Sequence, residues 1–390
     1  MSNPNPVPST MTNTSKATTH QKRSWGLFFL FPVLVPVIAA ILVYQLDSFD
    51  PAVMPLHELT QTPVIPLMSN DHMLQGAEYV GVGNLQGPED LAYDSKLGVI
   101  YTGCEDGWIK RVKVSDSLND SVVENWINTG GRPLGLALGH HNEVIVADAV
   151  KGLLNASGDG VVELLTDEAG GQKFKITDGV DVADDGMIYF TDASYKYSLK
   201  DYIWDILEGK AHGRFLSFDP ATKETKVLLR DLYFANGVVV SPHQHHAIFC
   251  ETSMRRCKKY YIHGKKKGQV EIFIDNLPGL PDNILYDGQG YYWIALATEV
   301  TPSWELAFKY PFIRKIVAIM EKYTGRPHTE RNGGVLLVDL EGKPIAHYYD
   351  FQLSLVSSGN KIGDHLYCGS IYYPYIIRLN ITQHPAITQP

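Results

Sequence analysis

Three carboxylates and one amide recur at a single phase of this sequence. Glu89 is the second residue of PEDLAYDSKLGVIYTG, and Asp178 the second residue of TDGVDVADDGMIYFTD. Asn236 holds the same place in ANGVVVSPHQHHAIFCE, and Asp282 in PDNILYDGQGYYWIAL. Two further copies, PLGLALGHHNEVIVAD and SSGNKIGDHLYCGS, put Leu134 and Ser358 there. Carboxylate and amide oxygens are hard donors of the kind Ca²⁺ gathers, six to eight at about 2.3–2.6 Å. Brought together without a cation, the carboxylates would repel one another or hold protons. One Asp or Asn at a loop–strand junction merely caps a turn. Four oxygen donors at one repeat phase predict a Ca²⁺ site with Glu89, Asp178, Asn236 and Asp282 as ligands, Asn283 standing beside them.

The remaining reactive residues carry less. Cys250 and Cys257 flank ETSMRR. A turn at Ser253-Met254 would set them opposite each other and allow a cross-strand disulfide; two free thiols are the alternative. Cys104 and Cys368 fall in equivalent strands and read as core cysteines. His243, His245 and His246 lie in an outer hairpin turn, away from the predicted site. No Gly-rich phosphate loop or nucleophile elbow occurs.

The elements that position the ring follow from the repeat. Each copy reads as an alternating apolar strand, a polar turn and a second strand rich in aromatics. The ring positions lie 45, 44, 58, 46 and 76 residues apart, and a four-stranded propeller blade takes about 40–50 residues. The chain is therefore expected to be all-β, a six-bladed β-propeller over residues 81–386, with the ring at one end of its channel. Two packed sandwiches would not carry one repeat through both. The two long intervals hold insertions with helical spacing: Leu199, Ile203, Ile206 and Leu207 in the first, Phe312, Ile316, Ile319 and Met320 in the second. They are expected to cap one mouth of the propeller, to touch a membrane surface, or simply to pack on the disc.

Trp25 to Tyr44 is twenty residues without a charge, the length that spans about 30 Å of hydrocarbon. Pro32 and Pro36 are tolerated in such spans. Lys16, Lys22 and Arg23 precede the run, and Asp47 and Asp50 follow it. The positive-inside rule predicts a cytosolic tail (1–24), a transmembrane signal-anchor helix (25–44), a linker (45–80) and a lumenal propeller. A cleaved signal peptide is the rival reading, though its apolar core would be unusually long. Asn119, Asn155 and Asn380 open glycosylation sequons on the lumenal side. The expectation is a single-pass type II membrane protein of the endoplasmic reticulum or vacuole. With 34 basic against 43 acidic residues and a net charge of −9, a general nucleic-acid partner is disfavoured.

The block DGVDVADDGMIYFTDAS, followed by HGRFLSFDPATKETKVLLRDLYFANGVVVSP, resembles the strictosidine synthase-like proteins, relatives of adipocyte plasma membrane-associated protein. The resemblance runs from about Gly81 to Asn380. It implies a six-bladed propeller shared with gluconolactonases and paraoxonases, and a channel Ca²⁺ held by residues matching Glu89, Asp178, Asn236 and Asp282. Two departures bear on activity. The catalytic Glu of true strictosidine synthases falls at or next to Ser358, and no Glu follows Glu341. A paraoxonase His falls at Leu134. Leu134 and Ser358 are thus expected to contact a small-molecule substrate without supplying a base, which leaves Asp178 or Asp282 for that role. The expected activity is Ca²⁺-dependent hydrolysis of an ester or lactone. The alternatives are a non-catalytic lumenal binding protein and an amine–aldehyde condensing synthase.

Overall fold

The computed structural model describes residues 25–55, 62–115, 121–326 and 328–388, with side chains from Phe31 onward. The chain divides into two compact units, Met1–Ser48 and Phe49–Pro390. The first contains helix α1, Trp25–Leu46, which carries no charged residue. Among the residues whose side chains are described, which in α1 begin at Phe31, no helix is long and apolar enough to cross a membrane. Sequon Asn119 lies outside the described residues.

The second unit is a six-bladed propeller. Blade one is Ala92–Asp94, Val99–Gly103, Trp108–Lys113 and Val122–Asn128; blade two is Pro133–Leu138, Val144–Asp148, Gly152–Ala156 and Val162–Thr166. Blade three is Thr177–Val182, Ile188–Asp192, Gly213–Asp219 and Glu224–Leu232. Blade four is Ala235–Val240, His246–Glu251, Arg256–Tyr261 and Val270–Ile274. Blade five is Gly279–Tyr286, Tyr291–Glu299, Gly333–Asp339 and Pro344–Asp350. Blade six takes Val356–Ile362, His365–Ser370 and Ile376–Asn380 from the C-terminal end, and Glu78–Val80 from the N-terminal side as its outer strand. That shared blade, built from both ends of the chain, closes the ring.

Residues 45–80 are therefore not a bare linker. Besides the strand at Glu78–Val80, Met68–Asn70 pairs in parallel with the outer strand of blade five, and Ile387–Thr388 adds to its far side. The propeller sheets thus reach past both ends of the expected span 81–386.

The core lies between blades because each sheet offers an apolar face to the next. Ala137, Ile145 and Leu153 of blade two pack against Phe190, Leu216 and Phe218 of blade three. Ile248 and Val239 of blade four meet Ile284, Tyr292 and Ile294 of blade five. Carboxylates on inner strands add polar ties. Asp90 accepts N–H bonds from Leu91 and, one blade on, from Leu136, at 2.8 and 3.0 Å. Asp181 does the same for Val182 and Val240, at 2.8 and 2.6 Å. The Thr191 hydroxyl donates to the Asn236 carbonyl and the Thr252 hydroxyl to the Pro281 carbonyl, both at 2.7 Å.

Both insertions are helical and both connect the second strand of a blade to its third, so they emerge at the same end of the disc. Blade three contributes α2, Tyr202–Glu208. Blade five contributes α3, Pro302–Lys309, capped by the Thr301 hydroxyl, and α4, Pro311–Tyr323. Arg314 of α4 is fully buried and pins them together. Its guanidinium donates to Ala307 O at 2.8 Å, to Leu207 O and Glu208 O at 3.1 Å, and to Ala52 O. The carbonyls it reaches at the end of α2 carry the negative end of that helix.

Replacing Asp181 by alanine strands the Val240 N–H between blades, and an unsatisfied buried donor costs about 1–3 kcal/mol. The expected outcome is a loss of that size in urea unfolding with an unchanged slope; an unaltered midpoint would mean that this tie contributes nothing.

A candidate metal and substrate site on the channel axis

The site is built at the leading ends of the inner strands: Glu89 just before Ala92–Asp94, Asp178 and Asn236 second in theirs, and Asp282 fourth in Gly279–Tyr286. Regular pairing is interrupted between Pro133 and Leu136, Thr177 and Val180, Ala235 and Val238, and Pro281 and Ile284. A bulge of this kind re-aims a side chain out of the pleat, and the ring residue sits inside each one. The residue after it crowds the neighbouring blade. A Cβ on Gly135 would lie 2.3 Å from Asp178 O, and on Gly237 2.5 Å from the Asn283 Cα. Glycine there lets the inner strands close up, and the ring side chains converge as a result.

Glu89, Asp178 and Asp282 each bring a carboxylate oxygen within 4.8 Å of the others. Glu89 and Asp178 are buried, and Asp282 is partly exposed. The amides serve this cluster. The Asn283 side chain donates to Glu89 Oε1 at 2.8 Å, across the channel from blade five to blade one. Asn236 hydrogen-bonds Asp282. Two acceptors are left over, Glu89 Oε2 and Asn236 Oδ1, both buried with no partner.

The electrostatics follow from burial. Burial pushes the Glu89 carboxyl well above its usual range, and repulsion from Asp282 and Asp90 adds to it, against the pull of Arg132. Burial and the Glu89 charge raise Asp178 in the same way. Burial and Asp178 raise Asp282, against the Asn236 hydrogen bond. Three such groups cannot all ionise together without a compensating positive charge. Their orphaned oxygens and hard-donor chemistry fit Ca²⁺, which those three carboxylates and Asn236 would hold. All four expected ligands thus meet on the axis.

The sixth position differs from expectation. Val356 pairs with Ser370 just as Thr177 pairs with Asp192 and Ala235 with Glu251. The bulge that follows places Ser357, not Ser358, at the ring phase. Ser358 corresponds instead to Gly135 and Gly179; it is fully buried and its hydroxyl donates to Glu89 O at 2.7 Å, as does that of Ser357. Both serines therefore hold the Glu89 backbone. The cavity wall, which Ser358 was expected to join, includes Leu134 but not Ser358.

Above the ring is a mostly apolar cavity, roofed by the insertions. Leu134, Ile203, Ile206, Phe234, Leu280 and Trp304 line it along with Glu89, Asp178, Asn236 and Asp282. Arg326 and Glu330 also reach it as a buried ion pair. This pair was missed in the sequence; its only trace was an i, i+4 charge spacing after an insertion, which is usually a solvated pair. Cys250 and Cys257 are directly opposed and joined in a disulfide. The turn between them is Thr252–Arg255, longer than expected, and Thr252 lines the same cavity. Cys104 and Cys368 are free and buried. Asn155 lies in a strand of blade two, and Asn380 ends one in blade six, its Oδ1 accepting from Thr382 and Gln383.

The comparisons with known proteins match this architecture. Family models described as "Strictosidine synthase" and "Strictosidine synthase-like, N-terminal" match residues 178–265 and 68–112. The chain is 58% identical over 361 residues to Protein STRICTOSIDINE SYNTHASE-LIKE 6 of Arabidopsis thaliana, covering 92% of this chain and 96% of the relative. It is 32% identical over 374 residues to adipocyte plasma membrane-associated protein of Gallus gallus, covering 90% and 88%. Among solved structures it is similar in fold to a gluconolactonase from Xanthomonas campestris, with a TM-score of 0.56 and 15% identity over 86% of this chain and 99% of that one. It is similar to a calcium-binding regucalcin from Agrobacterium tumefaciens, with a TM-score of 0.56 and 14% identity over 84% and 98%.

The raised carboxyls set a pH dependence. A group whose folded-state pKa lies above its unfolded value adds stability at low pH, which is lost as pH rises through the folded value. Without a cation, the melting temperature should therefore fall as pH climbs through the raised values of Glu89, Asp178 and Asp282. Ca²⁺ should reverse that fall, with a larger upward shift at pH 7.5 than at pH 5.5. Asp282→Ala should shrink the shift more than Ser358→Ala. Identical melting curves in Ca²⁺ and chelator would remove the ligand assignment.

Proposed function

Because the chain belongs to the strictosidine synthase-like family, we propose that it is a membrane-anchored propeller acting as a Ca²⁺-dependent hydrolase of ester or lactone bonds. The observation that carries this reading is the carboxylate cluster with two orphaned acceptors, set at the floor of an apolar cavity. Ca²⁺ there would polarise a substrate carbonyl as a Lewis acid. The chain's own residues do the rest. Leu134, Phe234 and Trp304 bind the apolar part of the substrate and exclude water around it. Asp282, more open to the cavity than Glu89 or Asp178, accepts the proton of the attacking water and returns it to the leaving oxygen. Asp178 is the other candidate for that role. The amides of Asn236 and Asn283 hold the carboxylates in place.

The site gives little support to amine–aldehyde condensation. That reaction needs a free carboxylate in blade six, and Ser357 and Ser358 stand there with both hydroxyls committed to Glu89 O. A serine hydroxyl is no general base at working pH without a partner to take its proton. A non-catalytic binding protein is the second reading. It is favoured by Leu134, an inert side chain at a ring position that faces the cavity.

The proposal includes topology. The chain is read as a type II membrane protein anchored through residues 25–44, with the propeller in the lumen of the endoplasmic reticulum or vacuole. The charge-free run, the flanking charges and the sequons support it, and the Cys250–Cys257 disulfide suits an oxidising compartment.

The full chain in lipid nanodiscs should hydrolyse activated aryl esters or lactones weakly in Ca²⁺, and lose that activity in chelator. Glu89→Gln and Asp282→Asn should each abolish hydrolysis while circular dichroism shows an intact fold. Strictosidine should not form from tryptamine and secologanin. Robust condensation would overturn the hydrolase reading; hydrolysis indifferent to chelator and to both substitutions would leave only the binding protein.

A further inference from the structure

Helix α4 carries two apolar faces. Ile313, Val317 and Ala318 turn inward with Arg314 and join the cluster over the cavity. Phe312, Ile316 and Tyr323 face the opposite way and are 52%, 44% and 63% exposed. The inward face explains why the helix is there, and the outward one has no partner among the described residues. Leu306 and Tyr310 extend the outward patch to 49% and 38% exposed. Lys309, Lys315 and Lys322 are interleaved with it. Exposed apolar side chains grouped in this way mark an interaction site rather than ordinary surface.

The chain itself indicates the occupant. Only Asp47 and Ser48 separate the end of α1 from Phe49. Phe49 packs edge-on against Trp204 of α2, with ring centroids 5.3 Å apart. Ala52 donates its N–H to Glu208 O at 2.8 Å, and its carbonyl accepts from Arg314. Met54 is buried in the same cluster as Trp304 and Ile206. The residues that leave the apolar helix are thus clamped at once onto the three helices that roof the cavity. A tether of this length spans about 10 Å at most. Aromatic and aliphatic residues interleaved with lysines are the composition of a helix that lies in a bilayer interface, sunk about 5–10 Å into the boundary between headgroups and acyl chains.

We propose that the outward face of α4, with the end of α3, rests on the surface of the bilayer that holds α1, so that the cavity mouth opens beside lipid. The proposal rests on the anchor reading above. Its consequence is that an apolar substrate reaches the carboxylate ring from the membrane rather than from water. The two buried free cysteines and the disulfide leave a thiol introduced at the surface as the selective labelling site.

The test uses the full chain with Phe312→Cys, and separately Val161→Cys, in nanodiscs of phosphatidylcholine and phosphatidylserine. Val161 is an exposed turn residue of blade two at the other end of the disc, 57% exposed. Each cysteine carries an environment-sensitive fluorophore, and lipids brominated at a shallow acyl position quench it. The expected result is quenching at Phe312→Cys at least about twofold above that at Val161→Cys, as an interfacial depth requires. Equal quenching at both positions overturns the proposal. So does a label at Phe312→Cys that is shielded from lipid and crosslinks to a second copy. Alkaline carbonate extraction of the same chain from membranes reports on the anchor alone. Extraction with strong quenching would end the anchor reading and leave the docking face; retention with equal quenching would do the reverse.

Discussion

Three carboxylates held within 4.8 Å of one another on the axis are the costliest feature of this molecule. Glu89 and Asp178 are buried and Asp282 mostly so, and repulsion among them adds to the effect of burial. A propeller does not need them for its own stability; apolar residues would fill the channel at lower cost. The fold nonetheless spends much of its detail on holding them. Bulges in the inner strands aim Asp178 and Asp282, and glycines beside the ring let the strands draw together. Two amides hydrogen-bond the carboxylates of Glu89 and Asp282, and two serine hydroxyls hold the Glu89 backbone. A cation among them would convert the repulsion into binding energy, and the two unpartnered oxygens mark where donors are still free.

The rest of the architecture serves access to that point. Ring residues start inner strands, so they lie at the end of the disc from which second-to-third-strand connections emerge. Those connections are where the chain can be lengthened without disturbing a blade. Blades three and five use them for α2, α3 and α4, and blade four uses the turn stapled by Cys250–Cys257. Arg314 binds the helices and the segment after α1 into one cap through backbone carbonyls. Cavity, carboxylate ring and the entry of the chain into the propeller are thereby gathered at a single end.

Much of this was legible in the sequence because a repeat multiplies weak signals. No single Asp, Asn or Glu points to a site, but four oxygen donors at one phase do, and the blade count follows from the spacing of the six copies. The opposition of Cys250 and Cys257 survived an incorrect turn, because lengthening the turn to Thr252–Arg255 kept them in register. The errors have physical origins. The ring phase falls on Ser357 rather than Ser358 because the bulge there depends on Val356 pairing with Ser370, which leaves no mark on composition. The closing strand at Glu78–Val80 is three residues long and is defined by a partner about 300 positions away. Arg326 and Glu330 resembled a solvated pair. The helical stripe at Phe312 and Ile316 is apolar, yet the buried face of α4 is the one built around Arg314.

The measurement closest to the central claim is a calorimetric titration of Ca²⁺ into the chelator-treated full chain, repeated in buffers of different ionisation enthalpy so that proton release is counted. One ion should bind per chain with release of protons from the ring, and Glu89→Gln should lower both the affinity and the proton count. Binding without proton release, or an affinity unchanged by Glu89→Gln, would contradict the account.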